Sequence, residues 1–103
     1  DVSPEDAYLA LQSDASIIVL DIRTPGEFAT GHVEGALNID YYARDFPDRI
    51  QALDPNQTYM VYCQKGVRSR SLMRALIGSQ FDDVLHIAEG FDGWRNKGLP
   101  FVR

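Results

Sequence analysis

The sequence predicts an α/β fold with a largely parallel sheet, because strand and helix patterns alternate along its 103 residues. Two short runs are apolar throughout, as expected for strands covered on both faces: residues 17–20 (IIVL) and 59–62 (YMVY). Each run leads into a loop and then a helix start, which is typical of units that build a parallel sheet. The length is that of one domain, so we expect residues 1–103 to form a single domain.

Proline and a preceding capping residue mark the first two helices. Ser3 and Pro4 predict the start of a helix that should end near Ser13. Thr24 and Pro25 repeat the pattern and predict a second, shorter helix directly after the first strand.

Three polar residues follow the first strand. Asp21 and Arg23 lie at the carboxyl end of that strand, an edge where ligands often bind. We expect them to form a local charge pair that holds the loop rather than to act directly in catalysis. His32 lies in a turn between Gly31 and Gly35, where a histidine is expected to hold backbone groups by hydrogen bonds rather than to contact substrate.

The remaining segments continue the alternation. They predict a short strand within 36–39, a helix over 45–53, a strand over 84–87 and a last helix from residue 89. Phe91 and Trp94 are three residues apart in the last helix, so they share a face that should dock onto the core. His86 falls inside a strand and is expected to be a packed or edge residue.

Composition excludes several classes of protein. Ten basic and fifteen acidic residues give a net charge of −5, which argues against nucleic acid as the main partner. A single cysteine excludes an internal disulfide and a multi-cysteine metal site, and two histidines do not make a metal cluster. No apolar run approaches the roughly 20 residues that span a bilayer, and no signal peptide is visible. We therefore expect a cytoplasmic protein without a membrane partner.

The only cysteine, Cys63, stands between the second apolar run and an amphipathic helix. Leu72 and Leu76 lie one turn apart in this helix, and Ser69 or Ser71 can cap its first turn. A helix N-terminus carries unpaired N–H groups and about half a positive charge, so a loop curled over it can form an anion cradle. A cysteine at the rim of that cradle favours the thiolate and is predicted to be a nucleophile.

The surroundings of Cys63 favour the same chemistry. Gly66 allows the backbone a conformation that most residues resist. The segment 55–81 contains four basic residues and no Asp or Glu, although the chain as a whole is acidic. A lone cysteine is often only a small apolar residue. Here the order strand, cysteine, loop, arginine, helix favours a reactive thiol in positive potential.

Three separated segments resemble signatures of the rhodanese domain family. Residues 21–28 (DIRTPGEF) with 31–39 (GHVEGALNI) are similar to its N-terminal signature. Residues 63–69 (CQKGVRS) are similar to its active-site loop, and residues 89–94 (EGFDGW) with 98–100 (GLP) to its C-terminal signature. The likeness runs over nearly the whole chain, and the ordered set of segments is more specific than any one of them.

The resemblance implies a rhodanese-like fold, with helices on both faces of a mostly parallel central sheet, and a sulfurtransferase activity. Cys63 would match the cysteine that attacks the outer sulfur of a donor such as thiosulfate and becomes a persulfide. An acceptor, cyanide in the usual assay or a thiol in cells, would then remove that sulfur. The resemblance implies no metal or organic cofactor.

The same resemblance assigns roles around Cys63. The backbone of the following loop would form the cradle around the persulfide and bind substrate; its residues are Gln64, Lys65, Gly66, Val67, Arg68 and Ser69. Lys65 and Arg68 would also attract and orient the anionic sulfur donor.

One alternative is a cysteine phosphatase or arsenate reductase, whose site also joins a thiolate to an anion cradle. Such phosphatases have five residues between the cysteine and the arginine, whereas four separate Cys63 from Arg68. The smaller ring of N–H groups should fit a tetrahedral phosphate poorly, and no Asp general acid is evident beside the loop.

A second alternative is a rhodanese module that serves a larger enzyme or a sulfur-relay partner protein. The presence of Cys63 argues against an inert module but is compatible with catalysis on behalf of an attached domain or partner.

Overall fold

A computed structural model describes residues 1–103 and shows five helices and four strands. In chain order the elements are α1 (Pro4–Ser13), β1 (Ile18–Asp21), α2 (Pro25–Ala29), β2 (Leu37–Asn38), α3 (Phe46–Gln51), β3 (Tyr59–Tyr62), α4 (Val67–Leu76), β4 (Val84–His86) and α5 (Gly90–Asn96). The strands form one parallel sheet in the order β2-β1-β3-β4. The predicted α/β fold with a parallel sheet is therefore confirmed, and each predicted helix and strand is found within a few residues of its expected bounds.

Strand β3 is central to the sheet and is buried at all four positions. Successive side chains of a strand point to opposite faces, and here each face has its own core. Tyr59 and Val61 pack with residues of α3 and α4, whereas Met60 and Tyr62 pack with residues of α1 and α5. The helices thus cover both faces of the sheet, as the resemblance implies. None of the helices is both long enough and apolar enough to cross a membrane.

The first two helices begin as the sequence predicts. The Ser3 hydroxyl accepts the N–H of Asp6 at 3.1 Å, which satisfies one unpaired donor of α1. Thr24 and Glu27 form a full capping box on α2, in which each side chain accepts a backbone N–H of the other residue.

Helix α4 begins differently from the prediction. Its N-cap is Gly66, and no side chain caps it, so the prediction that Ser69 or Ser71 caps this helix is wrong. The reason is the left-handed conformation of Gly66, with φ of +96°, which lets the chain enter the helix at Val67 and leaves both serines inside it.

The last helix docks onto the core as predicted. Phe91 and Trp94 are 1% and 2% exposed, and both belong to the cluster that covers the α1 side of the sheet. The Trp94 indole N–H donates to the carbonyl of Pro100 at 2.8 Å, so the segment after α5 is also held in place.

Candidate active site

Cys63 is the first residue after β3 and thus lies at the carboxyl end of the central strand. Three further residues carry the chain from there to the start of α4. Gly66 closes this loop so tightly against the segment after β4 that a Cβ at its position would collide with the carbonyl oxygen of Ala88. Both the positive φ and this close approach require glycine at residue 66.

The loop and the first turn of α4 aim backbone N–H groups at the Cys63 sulfur. The N–H of Gly66 donates to Sγ at 3.1 Å, and the N–H of Ser69 donates to it at 3.4 Å. The Ser69 hydroxyl lies 3.3 Å from the same atom. This arrangement confirms the predicted convergence of N–H groups on the sulfur at a helix N-terminus.

These contacts change the acidity of the thiol. Burial raises the pKa of Cys63, but hydrogen bonds from the side chain and backbone of Ser69, and from the N–H groups of Gly66 and Lys65, outweigh burial and hold that pKa below its ordinary value. At a given pH the site therefore holds a larger fraction of thiolate, the nucleophilic form, than an ordinary cysteine does.

The sulfur lies deeper than predicted. Cys63 is only 1% exposed, so its predicted place at the rim of the cradle is wrong. The loop has to curl over the sulfur to bring its N–H groups within reach, and the residue is buried as a result. Cys63 still lines an open depression of about 280 Å³, together with Glu27, Gln64, Lys65, Val67 and Arg68. Two of the other lining residues, Lys65 and Val67, are exposed, so the depression reaches the protein surface.

Arg68, which the family resemblance expects to attract and orient the anionic donor, is paired with a carboxylate in the structure. Its guanidinium makes two hydrogen bonds with the Glu27 carboxylate, at 2.8 and 3.0 Å, and lies 5.4 Å from the centre of the Tyr42 ring. The ion pair lowers the pKa of Glu27 to about 2. The sequence analysis missed both partners: Glu27 has a signal only as a capping residue, and nothing in the sequence singles out Tyr42.

The other three basic residues of the segment 55–81, Lys65, Arg70 and Arg74, lie beside the loop. A second depression of about 310 Å³ is lined by Lys65, Gly66, Val67, Arg70, Ser71, Arg74 and Ala88, none of which is acidic. Lys65 and Val67 line both depressions, so the two are adjacent. An anion that approaches Cys63 along this side meets exposed cations and no lining carboxylate.

The side chain of Gln64 is used to hold the loop. Its Oε1 accepts from Arg23 Nη1 at 2.9 Å, and its Nε2 donates to Asp92 Oδ1 at 2.5 Å. Gln64 thereby connects the loop after β1 to helix α5 through the active-site loop.

Helix α5 supports the same loop from below. The backbone N–H groups of Phe91 and Asp92 donate to the carbonyls of Cys63 and Gln64, at 2.9 and 3.1 Å. A Cβ at Gly90, where φ is +67°, would collide with the Gln64 carbonyl. The C-terminal segment that resembles a family signature therefore fixes the shape of the loop.

The polar residues at the end of β1 and in the segment after it are structural, as predicted. Arg23 and Asp21 are both fully buried, and the Arg23 guanidinium donates to Asp21 Oδ2 at 2.7 Å and to the Gly31 carbonyl at 2.6 Å. His32 Nδ1 lies 3.0 Å from the Phe28 carbonyl, and the two rings stack with centroids 3.6 Å apart. None of these residues makes a hydrogen bond with the Cys63 sulfur.

One contact of the site had only a faint signal in the sequence. His86, at the end of β4, is fully buried, and its Nε2 lies 2.6 Å from the Ser69 hydroxyl. Burial confirms the prediction of a packed residue, but its contact with Ser69 was not foreseen. The available signal was a lone polar residue within an otherwise apolar strand.

Comparison with known proteins agrees with this geometry. Residues 3–97 match the family model described as the Rhodanese-like domain. A thiosulfate sulfurtransferase GlpE from Pseudomonas entomophila is 37% identical over 95 residues, which cover 92% of this chain and 84% of the relative. A sulfurtransferase from Allochromatium vinosum is 28% identical over 102 residues, which cover 99% and 94% of the two chains.

Solved structures show the same fold. A rhodanese-related protein from Thermoplasma volcanium is similar with a TM-score of 0.86 at 24% identity, over 99% of this chain and 96% of that one. A rhodanese-like domain protein from Staphylococcus aureus is similar with a TM-score of 0.80 at 24% identity, over 99% and 97% of the two chains. With its fold, its loop and these relatives in agreement, the chain belongs to the rhodanese-like domain family.

Proposed function

We propose that this protein is a sulfurtransferase that carries sulfur from a thiosulfate or persulfide donor to a thiophilic acceptor, through a persulfide on Cys63. Membership of the family and the names of the relatives support sulfurtransferase activity in general. The observation that carries the finer proposal is the convergence of the Gly66 and Ser69 N–H groups on the Cys63 sulfur.

The first half-reaction is an attack by the Cys63 thiolate on the outer sulfur of the donor. A bond forms between Sγ and that sulfur while the sulfur–sulfur bond of thiosulfate breaks, and sulfite leaves with the electron pair. The lowered pKa of Cys63 favours the attacking form. Hydrogen bonds already aimed at sulfur need no rearrangement when negative charge develops there.

The second half-reaction returns the enzyme to its starting state. A thiolate or cyanide attacks the outer sulfur of the persulfide, and Cys63 leaves as a thiolate stabilised by the same N–H groups. In each half-reaction one bond to the transferred sulfur forms as another breaks, and the departing group takes the electron pair. The proposal therefore requires no oxidant. Two separate steps around one covalent intermediate predict ping-pong kinetics.

The loop residues 64–69 are assigned separate roles in binding the substrate. We assign the cradle to the backbone of residues 64–69 and the attraction of the anionic donor chiefly to Lys65, whose side chain is exposed at both depressions. Val67 forms part of the wall of the depression. The paired Arg68 positions Glu27 and keeps its carboxylate neutralised beside the thiol.

Mass spectrometry after incubation with thiosulfate tests the proposal. We expect one added sulfur atom on the peptide that contains Cys63 and none in the Cys63→Ala variant, whose circular dichroism should match the wild type. An unchanged mass, or sulfur retained elsewhere in Cys63→Ala, would refute the persulfide. Turnover of a generic aryl phosphate without any use of thiosulfate would instead favour the phosphatase alternative, which the pairing of Arg68 with Glu27 already disfavours.

A further inference from the structure

A continuous row of polar contacts leads from the buried thiol to the protein surface. Cys63 Sγ lies 3.3 Å from Ser69 Oγ, which lies 2.6 Å from His86 Nε2, and His86 Nδ1 lies 3.1 Å from Asp1 Oδ1. The first three residues are at most 1% exposed, whereas the Asp1 side chain is 55% exposed. Four residues from separate parts of the chain thus form one path out of the site.

The thiol form of Cys63 fixes one arrangement of protons along this path. An ionised carboxylate only accepts hydrogen bonds, so His86 Nδ1 carries a proton toward Asp1. A neutral imidazole then has a bare Nε2, which accepts the Ser69 hydroxyl proton. Ser69 Oγ is left to accept the Cys63 S–H. Burial, with the charge of Arg70, lowers the pKa of His86 to about 4, in keeping with a neutral imidazole at rest.

The thiolate requires the reverse arrangement. A thiolate can only accept, so the Ser69 hydroxyl has to point its proton at Sγ. The Ser69 oxygen then needs a donor, and His86 Nε2 is the group within reach. If Nε2 stayed bare, a buried nitrogen would lose its hydrogen bond, which is costly. Ionisation of Cys63 is therefore coupled to protonation of His86 Nε2.

We propose that Ser69, His86 and Asp1 relay the proton of the Cys63 thiol to solvent and, in doing so, turn the Ser69 hydroxyl toward the thiolate. The S–H bond breaks as a new O–H bond forms on Ser69, and the former Ser69 proton forms an N–H bond at His86 Nε2. His86 then releases its Nδ1 proton to the Asp1 carboxylate; the exposed Asp1 side chain passes that proton to water and turns away, and a water molecule then donates to the bare Nδ1. No atom changes oxidation state, and Ser69 and His86 act as positioning residues for Cys63.

The relay serves the sulfurtransferase site proposed above, but its titration needs no sulfur donor. Other charged groups also face the two ends: Glu27, Lys65 and Arg68 line the depression at Cys63, and Arg70 pairs with Asp1 at 3.4 Å and influences His86. A test must therefore follow the imidazole itself rather than the thiol alone.

Nitrogen NMR of the imidazole rings, alongside the ultraviolet absorbance of the thiolate, tests the coupling. We expect His86 Nε2 to change from a bare to a proton-bearing nitrogen as pH rises through the ionisation of Cys63, with one shared midpoint. His32 stacks on Phe28 and makes no hydrogen bond with any of the four residues of the path, so its ring gives the reference signals against which those of His86 are assigned. A His86 signal that ignores the thiolate midpoint, or that changes identically in Cys63→Ser, would overturn the relay.

Variants along the path sharpen the test. Ser69→Ala should leave thiol ionisation observable but remove the matching change at His86. Asp1 is exposed, so Asp1→Asn should fold normally; its amide can donate to Nδ1 and so favour a proton on Nε2. We expect the thiolate midpoint in Asp1→Asn to fall by about one pH unit, a tenfold change in the ionisation constant.

Glu5→Gln is the matched control, because it removes another exposed carboxylate near the N-terminus that does not contact His86. Equal midpoints in Asp1→Asn and Glu5→Gln would contradict the relay. Loss of persulfide formation with an intact His86 transition would refute the sulfurtransferase proposal and support the relay, so the two can be told apart.

Discussion

The two strand–loop–helix units at the centre of the sheet, β1 to α2 and β3 to α4, are built alike. They differ in whether the polar groups of the loop are buried within the protein or face an open depression. After β1, the hydrogen-bonding groups of Arg23 are all directed into the protein. Arg23 is fully buried and donates hydrogen bonds to Asp21, Gln64 and Gly31. After β3, the donors of the loop converge instead on one sulfur atom at the bottom of an open depression. The first unit is closed and structural, and the second is open to a ligand.

The difference lies in how each helix begins. Thr24 and Glu27 cap α2 with their side chains, so the N–H groups of both residues are already satisfied. Helix α4 has Gly66 as its N-cap and no side-chain cap, and the N–H groups of Gly66 and Ser69 donate to the Cys63 sulfur instead. A missing cap, together with a nucleophile at the preceding strand end, distinguishes the reactive loop from its structural counterpart.

The largest expected effect comes from opening the closed unit. Asp21→Asn leaves the fully buried Arg23 guanidinium without its ionic partner, and we expect a loss of about 3–5 kcal/mol in the free energy of unfolding, measured by urea denaturation. Glu5→Gln breaks the exposed contact with Lys97 at 3.5 Å and should change stability by less than about 0.5 kcal/mol. Similar losses of stability in the two variants would show that burial does not increase the contribution of the Asp21–Arg23 pair to the free energy of unfolding.

A second test distorts the open unit. Gly66→Ala forces a side chain into a positive φ and against the Ala88 carbonyl, so we expect a loss of stability of roughly 1–3 kcal/mol. Alkylation of Cys63 by iodoacetamide at neutral pH should also slow, because the Gly66 N–H moves away from the sulfur. Gly98→Ala is the matched control: its φ is +71°, but no atom lies within 4 Å of the new Cβ. Alkylation slowed equally in both variants would contradict the cradle.

A smaller effect is expected where the two units meet, since Glu27 both caps α2 and pairs with Arg68. Arg68→Met leaves the Glu27 carboxylate unneutralised in the depression beside Cys63, which disfavours the thiolate. We expect alkylation of Cys63 at neutral pH to slow by up to about tenfold, as for a rise of one unit in the thiol pKa. The double variant Arg68→Met/Glu27→Gln should recover most of that rate. Unchanged alkylation in Arg68→Met would mean that Glu27 exerts no influence on the thiol.

The smallest effect is the pH dependence of the same ion pair. Pairing with Arg68 lowers the pKa of Glu27 from the ordinary 4.5 to about 2 in the folded protein. A carboxylate whose pKa is depressed by folding contributes stability above the ordinary pKa and loses it as pH falls toward the folded value. The wild type should therefore exceed Glu27→Gln by about 1 kcal/mol above pH 4.5 and lose that advantage by pH 2. Denaturation curves at several acidic pH values measure the difference, and a constant gap would contradict the assignment.

Much of the fold follows from signals that are local in the chain. The apolar runs that became β1 and β3, the caps at Ser3 and Thr24, and the pairing of Asp21 with Arg23 all involve residues at most a few positions apart. Such signals can be recognised without knowing which distant segments pack against them. The prediction that failed locally was a serine cap on α4, where the conformation of Gly66 took precedence over the preference of serine for helix starts.

The parts of the site that escaped prediction join distant residues. Glu27 and Arg68 are 41 positions apart, Ser69 and His86 are 17 apart, and His86 and Asp1 are 85 apart. No periodicity or short motif encodes such pairs, because they form only when the strands take their order in the sheet.

The amino-acid sequence alone determined that a cysteine would stand between a buried strand and a helix rich in positive charge, since both elements are specified by neighbouring residues. Only the tertiary structure decided how deep the sulfur lies, which charged groups pair beside it and which groups accept its proton. Depth and pairing depend on β3 being central, with β1 and β4 on either side, and that order arises from packing between segments far apart in the chain.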